Sequence, residues 1–219
     1  MGSNELPSTF EDTVLVTGFG SFGVHSINSS TETVNTLASL GIEDEIKARL
    51  VTVTDIPVVY DHVKKLVPQL WQQYKPKLVV HAGLSGTAQG LTLETQAFNY
   101  GYCSKDVNGC IPQDSICQSG LPGCLQSAID MRSVCHYIND SPCGVLSCIS
   151  TDPGRYLCDY IYYTSLSIDS SRTAFVHVPV LGRPYSALQL AQALKIAITQ
   201  MLKQVRENDF NKVSDKCLA

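Results

Sequence analysis

Short apolar runs alternate with amphipathic stretches along most of the chain, and the two periods separate strands from helices. Residues 13–17 form a continuous apolar run that predicts a buried strand, and residues 30–40 repeat apolar positions at helical spacing before Gly41 stops them. A second strand over about 46–54 leads through Asp55-Ile56-Pro57 into a helix over 58–74, with Asp55 expected as its cap and Pro57 in its first turn. That helix has Val59, Val63, Val67, Leu70 and Trp71 on its apolar face. The run Leu78-Val79-Val80-His81-Ala82-Gly83 predicts a third buried strand, and residues 91–98 read as β-rich.

Between 99 and 123 the pattern dissolves into Gly, Pro, Ser, Asn, Asp and Cys, which predicts a long excursion loop. Order returns with a helix near 129–138, a buried strand over 145–150 and a helix beginning near Gly154 or Arg155. A strand over 174–179 and a long helix from 186 to about 206 follow, the helix carrying Leu188, Ala191, Leu194, Ile198 and Leu202 on one face. Strands apolar on both faces and separated by helices imply an α/β fold, a three-layer α/β/α sandwich with a mainly parallel, mixed central sheet. The expectation is one domain over 1–219, with 1–12 and 207–219 as loosely ordered tails. Active groups in such sheets gather at the carboxyl ends of strands.

Composition narrows the partners. The chain has 219 residues, 44% hydrophobic and only 16% charged, which fits an ordered globular protein. Its 16 basic against 20 acidic residues leave a net charge of -4 with no basic stripe, so nucleic acid is not an expected partner. The first residues lack a charged start followed by an apolar stretch, and no run is long enough to span a bilayer, so neither secretion nor a membrane is expected. The nine cysteines then read as reduced thiols in the cytoplasm. Cys103, Cys110, Cys117 and Cys124 recur every seven residues but form no C-x-x-C knuckle, so they read as free thiols and no metal is expected. No interface signal stands out, and a monomer is the default.

Four constellations carry chemistry. Gly18-Phe19-Gly20-Ser21-Phe22-Gly23 formally satisfies a dinucleotide fingerprint, but its two rings crowd the place where a pyrophosphate needs close backbone approach. Phe19 and Phe22 read instead as the walls of a small apolar pocket, with a nucleotide-dependent oxidoreductase as the alternative. Cys158 falls in or near the first turn of a helix, where exposed N–H groups favour a thiolate and can stabilise an oxyanion, although a cysteine in an apolar run is also a common core residue. His177 lies near the end of a buried strand, either a packed core histidine or a base beside Cys158 on an adjacent strand end, with His81 as the competing base. Glu94 is a lone carboxylate in an apolar, Thr-rich stretch and needs a partner such as an imidazolium.

The segment 16–23, Asn28, Glu94, the segment Gly154-Arg155-Tyr156-Leu157-Cys158-Asp159 and His177-Val178-Pro179 together resemble the pyroglutamyl-peptidase I family of cysteine peptidases, over about 13–202. The run GRYLCDYIYYTS looks especially like the animal cytosolic members. The resemblance implies removal of an N-terminal pyroglutamate from peptides, with Cys158 as nucleophile, His177 as base and acid, and Glu94 as orienting carboxylate. It places Phe19, Phe22, Tyr156 and Leu157 around the lactam, and it implies no metal or organic cofactor. The sequence departs from the bacterial pattern at Leu84 and Thr95, where those members carry Gln and Arg. A catalytically silent pyroglutamyl-peptide binding protein is the further alternative.

Overall fold

The computed structural model describes residues 10–23 and 27–217, with helical backbone alone over 212–217. Residues 1–9 of the expected N-terminal tail lie outside the described residues. Strand β1 (Thr13–Phe19) is buried from Val14 onward, as a central parallel strand must be. Helix α1 (Ser29–Ser39) follows, and Asn28 caps it by accepting the Ser30 amide at 3.0 Å. A single turn, α2 (Glu43–Ile46), ends in a left-handed Lys47, so strand β2 (Arg49–Ile56) begins later than its apolar pattern predicts.

Helix α3 (Tyr60–Tyr74) also starts late. Asp55 does not cap it: Asp55 stands inside β2 with φ 56°, and the N-cap residue Val59 has no side chain to offer. The Tyr60 amide donates instead to Asp106 Oδ2 at 3.1 Å, so the cap comes from the excursion loop.

Strand β3 (Leu78–Leu84) is buried throughout. The β-rich stretch after it divides at Thr95 into β4 (Leu91–Glu94), which joins the main sheet, and β5 (Gln96–Phe98), which pairs elsewhere with β6 (Cys124–Gln126). Helix α4 (Met131–Asn139), capped by Asp130, and strand β7 (Ser147–Ser150) follow. Helix α5 (Leu157–Asp169) begins after Gly154 and Arg155, because Gly154 turns the chain at φ 81°. After β8 (Thr173–Val178) the last helix, α6 (Ala187–Cys217), runs well past the stop expected near Arg206, so residues 207–217 are helical rather than a loose tail.

The six-stranded sheet has the order β2-β1-β3-β8-β4-β7. Strands β1, β2, β3 and β8 run parallel, while β4 is antiparallel to β8 and parallel to β7. Helices α1, α4 and α6 bury Val34, Leu37, Val134, Leu194 and Ile198 against one face. Helices α3 and α5 bury Val63, Val67, Ile161 and Tyr162 against the other, which completes the three layers. Among the described residues no helix is long and apolar enough to cross a membrane.

The excursion, which holds one short 3-10 turn at Gln113–Ser115 and a bridge between Tyr100 and Ile116, is knitted by backbone and side-chain hydrogen bonds together. Asn99 Nδ2 donates to the carbonyls of Gln118 and Leu121, and its Oδ1 accepts the Gln118 amide, so one residue joins both ends. Asp106 Oδ1 accepts the amides of Asn108 and Cys110 while its Oδ2 holds Tyr60. Asn99 and Asp106 are both buried, and burying the carboxylate of Asp106 is tolerable because backbone donors surround it.

Candidate active site

Cys158 is the second residue of α5, and no side chain caps that helix, so its first-turn N–H groups stay available. Its strand β7 does not lie beside β8, as adjacency in sequence predicts, because β4 stands between them. The thiol reaches β8 by another route. β7 runs opposite to β8, so the connection over 151–156 recrosses the sheet face before α5 starts. It delivers the sulfur over Gly83 of β3, the residue in register with His177. A Cβ on Gly83 would stand 2.7 Å from Cys158 Sγ and 2.7 Å from Phe175 Cζ. The missing side chain is the space that the Cys158 sulfur fills.

On β8, His177 pairs with Thr92 of β4, and Phe175 pairs with Glu94. Side chains on alternate residues share a face, so Glu94 sits diagonal to His177 across the antiparallel pair. The Nδ1–H of His177 donates to Glu94 Oε1 at 2.8 Å, which leaves Nε2 as the ring nitrogen available to Cys158. Both residues are buried, and Glu94 Oε2 is enclosed without a hydrogen-bond partner. Burial alone pushes the imidazole pKa down. The charge and hydrogen bond of Cys158 and those of Glu94 outweigh it, and the ring is held at about 10. The buried carboxylate is thus matched by an imidazolium, whose ring also meets Phe175 edge-on at 4.8 Å.

The thiol opens on a narrow slot lined by Phe19, Phe22, Tyr156 and Leu157 together with Asn28, Val58 and Leu84. Its walls are almost wholly apolar, which suits a small uncharged ring. Asn28 is spent inside the protein: Nδ2 donates to Gly20 O at 2.8 Å and Oδ1 accepts from Ser30. Val58 and Gly83 carry no chemical signature in the sequence. A lone glycine late in a buried strand is the one hint that something approaches there closely.

The glycines of the 18–23 segment serve intramolecular contacts. A Cβ on Gly18 would meet the Ser30 and Thr31 backbone at 3.0 Å, and one on Gly20 the Asp55 carbonyl at 3.2 Å. Close approach to α1 accounts for Gly18 and close approach to β2 for Gly20, and a dinucleotide-dependent oxidoreductase is not supported. His81 is buried with Nδ1 on Thr17 Oγ1 at 2.7 Å, and desolvation pushes its pKa down to about 3, so it packs as a neutral ring engaged with Thr17.

A much roomier cavity than the slot, about 500 Å³, lies elsewhere, between the start of α3 and the excursion. Its buried thiol, Cys117, is pushed up to about 12 by desolvation, and no imidazole is among the residues that line the cavity. The four evenly spaced cysteines diverge: Cys103 and Cys110 are exposed, Cys124 half-buried and Cys117 buried. Among the described residues no group of three His, Cys, Asp or Glu side chains is arranged to hold a metal ion.

The family model for pyroglutamyl peptidase matches residues 12–206. The chain is 43% identical over 196 residues to pyroglutamyl-peptidase 1 of Homo sapiens, covering 90% of this chain and 92% of that protein. It is 45% identical over 189 residues to pyroglutamyl-peptidase 1 of Mus musculus, covering 86% and 89%. Among solved structures, a mutant pyrrolidone carboxyl peptidase from Pyrococcus furiosus is similar with a TM-score of 0.77 at 25% identity, covering 88% of this chain and 99% of that one.

Proposed function

This chain belongs to the pyroglutamyl peptidase family and removes an N-terminal pyroglutamyl residue from peptides, and from that premise we propose that Cys158 is its nucleophile, His177 its base and acid, and Glu94 the carboxylate that orients the imidazole. One observation supports this most: Glu94 holds the His177 ring through Nδ1, while the Cys158 thiol, at an uncapped helix start, stands over Gly83, the register partner of His177, and opens on an aromatic slot. The lactam lies between Phe19, Phe22 and Tyr156, against Leu157. A free α-amine placed there would lose its water without gaining a partner, which discriminates against ordinary N-termini.

The Cys158 thiolate attacks the acyl carbonyl of the pyroglutamyl residue, and the oxyanion is met by the first-turn N–H groups of α5. Collapse breaks the C–N bond, Nε2–H of His177 protonates the departing amine, and a thioester remains on Sγ. Water then adds, giving its proton to Nε2, and pyroglutamate leaves as the thiolate is restored. Glu94 holds the ring in one tautomer and orientation throughout, without taking the proton itself. The chain works as one catalytic domain on peptides of otherwise open sequence. Its eight described, unpaired cysteines suit the reducing cytoplasm.

Release of a fluorogenic amine from a pyroglutamyl amide tests the assignment. Wild type cleaves that amide and spares the alanyl amide, and Cys158→Ala abolishes turnover while keeping the fold. Turnover by Cys158→Ala near the wild-type rate overturns the assignment of the nucleophile.

A further inference from the structure

The residue after the nucleophile is a carboxylate with no exposed surface, and the mechanism above does not use it. Asp159 Oδ1 accepts the Phe98 amide at 2.9 Å, and Asp159 Oδ2 lies 3.0 Å from Tyr102 Oη. Tyr102 Oη in turn lies 2.5 Å from the Phe98 carbonyl. A tyrosine hydroxyl has one proton, and the shorter contact to Phe98 takes it. The contact between Tyr102 and Asp159 then needs a hydrogen from Asp159. With that proton present the three groups close a ring. Phe98 N–H donates to Asp159, Asp159 O–H to Tyr102, and Tyr102 O–H to Phe98, with no donor or acceptor wasted.

The surroundings favour the neutral form. Arg155 faces Asp159 at 3.6 Å from the preceding turn, but its closer contacts are Asp152 at 2.6 Å and the Gly154 carbonyl at 2.7 Å. Asp152 from the same turn disfavours a negative charge here, while Cys117 from the excursion, Cys124 from β6, Tyr60 from α3 and Tyr162 from α5 face the carboxyl with their own pKa values pushed up, so that none brings a compensating positive charge. Burial is the largest influence and pushes the Asp159 pKa up to about 7, against the hydrogen bonds from Phe98 and Tyr102 and the charge of Arg155.

We propose that Asp159 is a positioning residue that works as a neutral acid, clasping the excursion and the segment that follows Glu94 onto the nucleophile helix; the proposal rests on the assignment of Cys158 above. The clasp reaches the slot as well, because Lys105 of the excursion accepts the Tyr156 hydroxyl at 3.1 Å. Ionisation of Asp159 removes one hydrogen bond from the ring and loosens both sides of the site.

The test compares Asp159→Asn with wild type on the pyroglutamyl amide, with kcat and KM measured from about pH 5.5 to about pH 9. Asn keeps one acceptor and one donor in place and cannot ionise. The ratio of variant to wild-type kcat/KM cancels the titration of the Cys158–His177 pair. It is expected to rise by about threefold or more between the two ends of the range, as wild type alone loses its clasp. Asp159→Ala is expected to lose about tenfold in kcat at the acid end of the range and less at the alkaline end, and in a Tyr102→Phe background the Asn substitution no longer produces the rise. A flat ratio, or Asn as damaging as Ala, overturns the proposal. Either result leaves the nucleophile assignment standing, which fails only if Cys158→Ala stays active.

Discussion

At the scale of single residues, the site depends on a side chain that is absent. Gly83 leaves the hollow that Cys158 Sγ occupies, and a methyl group there would stand 2.7 Å from both the sulfur and the Phe175 ring. Gly83→Ala is expected to displace the thiol and lower kcat by about a hundredfold, while circular dichroism shows an unchanged fold. The imidazole gives a second prediction. In the proposed mechanism His177 must be an imidazolium to protonate the leaving amine, and Cys158 and Glu94 raise its pKa to about 10 against the pull of burial. Removing the Glu94 charge leaves burial less opposed and lowers that limit. Glu94→Gln should therefore move the alkaline limb of kcat/KM down by about one to two pH units, read from rate profiles of the coupled pair. A limb that stays in place would show that Glu94 does not hold the proton. Residue type and local spacing marked Cys158, His177 and Glu94 as candidates in the sequence. Gly83 and Asp159 were not legible, because their importance lies in what packs against them: Asp159 meets Phe98 across 61 positions of chain.

At the scale of elements, apolar periodicity located the strands and helices well but not what bounds or joins them. The start of α3 shows why. Asp55 precedes the helix with the chemistry of a cap, yet the strand β2 claims it, and Asp106 supplies the acceptor from the excursion. Asp106 also accepts the Asn108 and Cys110 amides, so Asp106→Ala strands three backbone donors at once. It is expected to cost about 2 kcal/mol, read as a lower urea midpoint with an unchanged slope. The predicted adjacency of β7 and β8 failed for a related reason. Which strands pair is decided by packing over the whole sheet, and β4 enters between them with Glu94 already in place for His177.

At the scale of the molecule, the buried histidines pull stability in opposite directions with pH. Folded His81 stays neutral down to about pH 3, while an unfolded histidine takes up its proton near its ordinary value of about 6.5. Between those values the unfolded chain binds more protons, so stability falls as pH falls through that window. His177 has the reverse sign: its raised pKa stabilises the fold below about 6.5 and loses that contribution as pH rises toward about 10. His81→Gln is expected to flatten the acid limb of a plot of urea midpoint against pH, and an acid limb as steep as wild type would count against a neutral buried ring. The three-layer class was legible because strands apolar on both faces demand cover on both sides. The reversed pair β4 and β7 was not, since an antiparallel strand in such a sheet reads like its parallel neighbours.

The strand order also sets a timetable. β8 lies between β3 and β4, so two strands that follow each other in sequence wait apart for a third that is made some eighty residues later, at 173–178. Until then the sheet exists only as two unjoined halves with raw inner edges, the arrangement of high sequence separation that folds slowly. On the ribosome this means that no shorter nascent chain brings the Cys158 thiol and the His177 imidazole together, because the imidazole arrives on the same strand that closes the sheet. Chains stalled before residue 178 are expected to be digested readily by added protease, and chains extended through α6 to resist it.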